Sequence, residues 1–379
     1  MKRSLEPLLL EDLPEKIILL SGPRQSGKTT LAKSLNPLAT HLNYDESDDR
    51  DVISKKTWDP QTPLIIFDEL HKMQEWKRYL KGLFDTRGIP PQMLVTGSAK
   101  LDTYRKVGDS LAGRFFYFRL HPLDIQEVGN ALPAQESFNL ILECSGFPEP
   151  FLRGKTQYYG RWAKSHQDII LRQDMLDLER VTDIHAIELL IDLMSRRVGS
   201  TVSYANLAQD VQRDPKTVKK WFGFLENLYL TFPIRPFGTK LARAYLQQPK
   251  HYLYNTAAVK GDMGAKFENL VACALLKELH WQQDTQGRSL DLCFLRTRDG
   301  HEVDFVIVEN NRPIYMIECK WTEPDLSSLN YFHNHFKKIP AVQLIGKGLP
   351  RNFYYPDTHT KVCAAPEWLL NLRQELFSK

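Results

Sequence analysis

The chain lacks most of what would place it in a specialised class. Its five cysteines, Cys144, Cys273, Cys293, Cys319 and Cys363, form no close pair of metal-ligand spacing. No apolar run approaches the ~18 residues of a membrane span and no secretory leader pattern is visible, so a cytoplasmic protein with no membrane partner is expected. Repeats, low-complexity tracts and long charge blocks are missing too, so domain boundaries must come from changes of pattern. The excess of positive charge is small, +4, which permits contact with nucleic acid without requiring it.

What is present is the composition of an ordinary globular protein, 42% hydrophobic and 25% charged, in a chain of 379 residues that is too long for one core and implies two or three domains. Its most informative stretch is Gly22, Pro23, Arg24, Gln25, Ser26, Gly27, Lys28 and Thr29, set between the apolar run Ile17 to Leu20 and the helix-like Thr30 to Leu35. Polyphosphate is multiply anionic, so it needs converging backbone N–H groups, a helix N-terminus and a cation. Gly22 and Gly27 permit the tight curl, Lys28 supplies the charge and Thr29 a hydroxyl for Mg²⁺. The pattern predicts a phosphate-binding loop and an ATP site.

Leu64 to Phe67 is an unbroken apolar run ending in Asp68 and Glu69, as expected of a central parallel strand whose tip opens on a ligand crevice. Asp68 is the expected partner of Mg²⁺ and Glu69 the expected base for an attacking water, since phosphoryl transfer needs positioning and charge neutralisation more than covalent chemistry. A third strand, Met93 to Thr96, leads to Gly97 and Ser98, and Leu111-Ala112-Gly113-Arg114 enters the strand-like Phe115 to Phe118. This order resembles the AAA+ class of ATPases. The resemblance implies that Ser98, or Thr96, senses the γ-phosphate and that Arg114 is an arginine finger, often supplied in trans within a homo-oligomer. Arg105 is an alternative finger, and a helix-end arginine bonded to local carbonyls is the plain alternative for Arg114.

Strand-like runs alternate with helical segments through residue 120, which predicts a parallel α/β core over 1–120. Residues 121–183 turn helical, broken at Gly146-Phe147-Pro148, and are expected to form a lid or connector. Residues 184–235 read as three helices and a short β ribbon. Ser203 caps one helix, and Asp214-Pro215 opens another whose apolar stripe is Val218, Phe222 and Leu225. Lys216, Lys219 and Lys220 face away from that stripe. The layout resembles a winged helix-turn-helix, in which those lysines either contact DNA or form a solvated face of an internal arm.

Residues 236–379 carry a second candidate chemistry. A helix-like segment around Phe267 to Val271 holds Glu268, and Glu302 to Val308 and Ile314 to Trp321 predict a hairpin. Alternation along a strand puts Glu318 and Lys320 on one face, and an adjacent antiparallel strand brings Asp304 beside them. The constellation resembles the PD-(D/E)XK, restriction-endonuclease-like core. That resemblance implies that Glu268, Asp304 and Glu318, with the Cys319 carbonyl, hold Mg²⁺ or Mn²⁺, and that Lys320 activates water.

From Gly22 to Lys320 the chain resembles the prokaryotic AAA+-like ATPases that join an N-terminal P-loop domain to a C-terminal domain of unknown function with a nuclease-like core. The motifs are the loop above, Phe67-Asp68-Glu69-Leu70-His71, Thr96-Gly97-Ser98, Leu111-Ala112-Gly113-Arg114, Gly146-Phe147-Pro148-Glu149, Glu302-Val303-Asp304-Phe305 and Ile317-Glu318-Cys319-Lys320. A second-sensor arginine has no motif, and Arg153 and Arg172 qualify by position alone. The expected fold is α/β: a P-loop ATPase domain, a winged helix-turn-helix, then a restriction-endonuclease-like domain. Two functions follow: an ATPase that gates a DNA nuclease, or an ATP-dependent switch whose nuclease-like part is inert and binds DNA or protein.

Overall fold

The computed structural model describes residues 2–98, 111–174, 183–238, 248–297, 299–336, 339–349 and 351–378. They form two compact units: Met1–Pro122 with Asn227–Tyr229, and Leu123–Glu226 with Leu230–Lys379. Arg105 lies outside the described residues.

In the first unit, strands β1 (Ile17–Ser21), β2 (Thr40–Asn43), β3 (Leu64–Asp68), β4 (Gln92–Gly97) and β5 (Phe115–Arg119) form a sheet in the order β2-β3-β4-β1-β5, parallel throughout. All residues of β1 and β3 are buried, as uninterrupted apolar runs covered on both faces must be. Helices α1 (Glu6–Asp12), α2 (Lys28–Leu35), α3 (Ser47–Lys55) and α4 (Trp76–Arg87) complete the unit. On α4 the buried residues Trp76, Leu80 and Leu83 recur at helical spacing, and Gly88 at φ 70° ends the helix. Phe67, next to Asp68, is held edge-on by Trp58 and Tyr79, with ring centroids 6.0 and 6.3 Å away. Register then places Ser21 beside Gly97 and Asp68 beside Thr96, so the chemistry-bearing strand tips share one edge.

The second unit opens with helices α5 (Ile125–Val128), α6 (Ala134–Cys144), α7 (Pro148–Arg153) and α8 (Thr156–Ile169), followed by α9 (Ile184–Ser195), α10 (Tyr204–Asp210) and α11 (Pro215–Asn227). Asp183 and Ser203 cap α9 and α10 by accepting from Ala186 and Asn206 N–H groups. On α11, Val218, Trp221, Phe222 and Leu225 are buried, while Lys216, Lys219 and Lys220 are exposed. The ribbon that follows, β6 (Thr231–Pro236) with β7 (Lys250–Leu253), does not stand apart as a wing. β6 also pairs in parallel with β8 (Leu290–Arg296), which joins the ribbon to the C-terminal sheet.

That sheet adds β9 (Glu302–Glu309), β10 (Arg312–Lys320), β11 (Ala341–Ile345), β12 (Phe353–Tyr355) and β13 (Thr360–Ala364), in the order β12-β13-β11-β10-β9-β8-β6-β7. A long helix, α12 (Met263–Gln286), precedes β8 and packs on β7, β8 and β10. β8, β9 and β10 form an antiparallel meander; α13 (Ser327–His335) then returns the chain to β11, parallel to β10. Helices α14 (Ala365–Leu370) and α15 (Leu372–Phe377) close the unit.

Candidate functional site

The loop from Gly22 to Thr29 joins β1 to α2. Gly22 adopts φ 152°, and a Cβ there would lie 2.3 Å from the Leu120 carbonyl oxygen, so only glycine fits. Gly27, at φ 94°, is the N-cap of α2 and turns its first-turn N–H groups toward the loop. Arg3 braces the outside by donating to the carbonyls of Ser26 at 2.7 Å and His121 at 2.6 Å. Lys28 is buried and donates to the Gly22 and Pro23 carbonyls at 3.0 and 2.7 Å. The Ser26 hydroxyl is fully buried and has no hydrogen-bond partner among the described residues, which fits a group that a bound phosphate completes. Arg24 is half-buried, while Gln25 and Thr30 are exposed at the loop and on the first turn of α2.

Thr29 and Asp68 are brought together: the Thr29 hydroxyl donates to Asp68 Oδ2 at 2.8 Å. Two residues that the sequence did not single out as partners of Asp68 complete its surroundings. The Thr96 hydroxyl donates to Oδ1, and His41 Nε2 lies 3.4 Å from Oδ2. Burial works against ionisation here, but hydrogen bonds from His41, Thr96 and Thr29 outweigh it and hold the Asp68 carboxyl near about 2. An ionised carboxylate next to a threonine hydroxyl is the donor set that a hard, oxygen-seeking Mg²⁺ takes, so Thr29 and Asp68 fit the metal of a Mg–nucleotide.

Glu69 has the opposite electrostatics. Burial pushes its carboxyl up to about 7, with Lys28 opposing and Asp68 adding to the rise. Ser98 donates to Glu69 Oε2 at 3.3 Å, and the Glu69 N–H donates to the Thr96 carbonyl. Ser98 therefore orients Glu69, while Thr96 serves Asp68. His71 Nδ1, 3.6 Å from Glu69 Oε2, is beyond hydrogen-bond reach, and burial foremost lowers its pKa to about 4, so it brings no charge at neutral pH. Neighbouring carboxyls at about 2 and about 7 leave one ionised and the other close to half-ionised at neutral pH.

Arg114 lies away from the loop of its own unit. It precedes β5, beside the first residue of β1, whereas the loop leaves from the last, so it cannot act on the site of its own unit. Its guanidinium is engaged with Asp85, Nε to Oδ1 at 2.7 Å and Nη2 to Oδ2 at 3.2 Å, and with the Ala112 carbonyl at 3.3 Å. Arg153 and Arg172 belong to the second unit; the Arg153 guanidinium stacks on Tyr158 at 5.5 Å, and Arg172 is exposed.

The expected three-carboxylate metal centre is not formed. Asp304 Oδ2 accepts from the Cys319 N–H at 2.8 Å, so β9 and β10 do bring Asp304 beside the Glu-x-Lys strand. Glu318, however, spends one oxygen on Lys320 at 3.2 Å and the other on Gln343 at 3.0 Å. Glu268 turns instead to Tyr252, whose hydroxyl donates to Oε1 at 2.6 Å, and to Lys250. The Lys250 ammonium lies 3.3 Å from Glu268, 2.5 Å from Glu302 and 3.7 Å from Asp304. Among the described residues no group of three His, Cys, Asp or Glu side chains is arranged to hold a metal. Sequence reasoning missed Lys250, Tyr252 and the role of Glu302; the strand Lys250–Leu253, Lys-His-Tyr-Leu, is fully buried although its composition carries no apolar run to announce it. Burial opposes the charge on Lys250, yet Glu268, Asp304 and Glu302 outweigh it and raise its pKa. Burial first, then Asp304, pushes Glu268 up to about 7, and burial raises Glu318 to about 7.

The loop, the strand-tip acids and the parallel sheet define an AAA-type P-loop ATPase domain. Residues 14–129 match the family model described as "AAA domain", and residues 135–260 and 263–366 match two domains of unknown function, DUF8612 and DUF4143. Similar curated proteins include the uncharacterized proteins Rv2008c of Mycobacterium tuberculosis and Mb2031c of Mycobacterium bovis. Each is 23% identical over 332 residues, covering 82% of this chain and 72% of the relative. Among solved structures, the Thermotoga maritima RuvB Holliday junction branch migration motor overlaps 60% of this chain and 86% of its own, at 16% identity and a TM-score of 0.32. A signal transduction ATPase with numerous domains from Pyrococcus horikoshii overlaps 75% of this chain and 47% of its own, at 14% identity and a TM-score of 0.25. These overlaps are partial and carry no activity over to this chain. No helix among the described residues is long and apolar enough to cross a membrane.

Proposed function

We propose that the chain is a Mg²⁺-dependent ATPase that works as a switch, its nucleotide cycle setting the state of a C-terminal unit that binds DNA without cutting it. The observation that carries the ATPase reading is the hydrogen bond from Thr29 to Asp68, 2.8 Å long, with Glu69 next along the chain. When bound, Mg²⁺ would be held by the Thr29 hydroxyl and the Asp68 side and would neutralise charge on the β- and γ-phosphates. Lys28 shifts from the loop carbonyls to the phosphates. Glu69, oriented by Ser98, takes a proton from the attacking water as the water oxygen bonds the γ-phosphorus and the bond from that phosphorus to the bridging oxygen breaks, giving ADP and inorganic phosphate. Lys28→Ala should abolish nucleotide binding, whereas Glu69→Gln should bind ATP and fail to turn it over. A Glu69→Gln variant that hydrolyses ATP at the wild-type rate would remove the base.

Support for a DNA-binding, nuclease-like C-terminal unit comes from two features. The order α12-β8-β9-β10-α13-β11, with an antiparallel meander and a parallel fourth strand, agrees with the restriction-endonuclease-like reading. Lys216, Lys219 and Lys220 on the exposed face of α11 supply cations for a phosphate backbone. The engagement of Glu268 and Asp304 by Lys250 favours binding over cleavage.

A further inference from the structure

We propose that Lys250 is the resident cation of the nuclease-like centre: its ammonium takes the place of a divalent metal among Glu268, Glu302 and Asp304, and shortening it would create a Mg²⁺ or Mn²⁺ site. The inference rests on the nuclease-like reading of the C-terminal unit and is independent of the ATPase.

The geometry is that of an ammonium cage. Mg²⁺ draws its oxygens to ~2.0–2.1 Å in near-octahedral order. Here the carboxylate oxygens surround a nitrogen at 2.5, 3.3 and 3.7 Å, distances that suit a compact monovalent cation with several N–H donors. The lysine is 1% exposed, and its ammonium also lies 5.4 Å from the Phe294 ring. A buried unpaired ammonium would be costly, so this side chain stays where its carboxylates are.

The backbone leaves the ammonium little freedom to withdraw. Lys250 pairs with Ile234 of β6 on one side and bridges Thr201 on the other. β6 is in turn paired to β8, next to β9, the strand that carries Glu302 and Asp304. Gly199 approaches Glu268 so closely that a Cβ there would lie 2.8 Å from Oε2. Arg296 holds the second oxygen of Glu302 at 3.4 Å. Two of the carboxylates that the endonuclease-like resemblance assigns to metal, Glu268 and Asp304, are thus already engaged by a cation built into the chain, and the third, Glu318, is engaged by Lys320 and Gln343.

The test is Mn²⁺ binding to the full chain without nucleotide, by electron paramagnetic resonance and calorimetry, in an Asp68→Ala background that removes the other metal-binding carboxylate. The Asp68→Ala parent should bind no Mn²⁺ through this cluster. Asp68→Ala/Lys250→Ala should gain about one Mn²⁺ per chain, with a rise in melting temperature on adding the metal, and both should vanish when Asp304→Asn is added. A parent that already binds Mn²⁺ and loses it with Asp304→Asn or Glu268→Gln would overturn the proposal, and that measurement does not require the Lys250 variant to fold. A folded Lys250 variant that gains no site would also overturn it. Neither result bears on ATP binding, which is read separately.

Discussion

The sharpest consequence of the nucleotide site is a pH dependence set by Glu69. Burial holds its carboxyl near about 7, and only the carboxylate form accepts a proton from water. The ionised fraction would be roughly 0.09 at pH 6 and roughly 0.91 at pH 8, so kcat/KM for Mg-ATP should rise about tenfold over that interval and then level off. The sign follows from the direction of the shift: a base with a raised pKa is switched on as pH rises through that value. Asp68, near about 2, stays ionised throughout and contributes no slope. The assay is phosphate release at subsaturating ATP and saturating Mg²⁺, since kcat/KM reports the free enzyme. Glu69→Gln should lower the rate by roughly 10²–10⁴ and flatten the profile while ATP binding persists. A wild-type profile flat from pH 6 to 8, or an unchanged slope in Glu69→Gln, would refute the assignment. Stability gives an independent check of the same shift. The folded chain holds the Glu69 proton at pH values where the unfolded chain has lost it, so this residue's contribution to stability should fall as pH rises from about 4.5 to about 7.

Four further outcomes are expected. Thr96→Val removes the hydrogen bond that orients the Asp68 carboxylate, so the Mg²⁺ concentration for half-maximal turnover should rise severalfold; an unchanged Mg²⁺ midpoint would show that Thr96 does not tune the metal carboxylate. Gly22→Ala forces a Cβ against the Leu120 carbonyl and should abolish ATP binding measured by calorimetry, and retained affinity would mean that the loop is not held as described. Arg114→Ala breaks a solvent-screened surface pair with Asp85, so turnover should stay near wild type; a loss on the order of 10³-fold, with turnover dependent on protein concentration, would establish the trans finger. Replacing Lys216, Lys219 and Lys220 together by alanine should cut the log-affinity versus log-salt slope on duplex DNA by about 0.9 for each phosphate that the chain no longer neutralises, and an unchanged slope would leave α11 as an internal arm.

The sequence alone determined the elements whose causes are local. A glycine-bounded loop after an apolar strand, with Lys28 and Thr29 opening a helix, is legible because each residue type answers a need a few residues away: φ 94° at Gly27, or a hydroxyl on the first turn. The run Leu64 to Asp68 is legible for the same reason, since a strand buried on both faces cannot hide its composition. Even the meeting of Asp304 with the strand of Glu318 and Lys320 followed from alternation and adjacency. Partners set by long-range register were not legible. Thr96 reaches Asp68 because β3 and β4 are neighbours, and Asp85 takes Arg114 because α4 passes the start of β5. Lys250 decides the second site from 18 residues before Glu268 and 54 before Asp304. A local motif lists which side chains could share a cation, but which cation stands among buried carboxylates depends on the electrostatic cost of every charge packed there, and only the folded sheet brings those charges together.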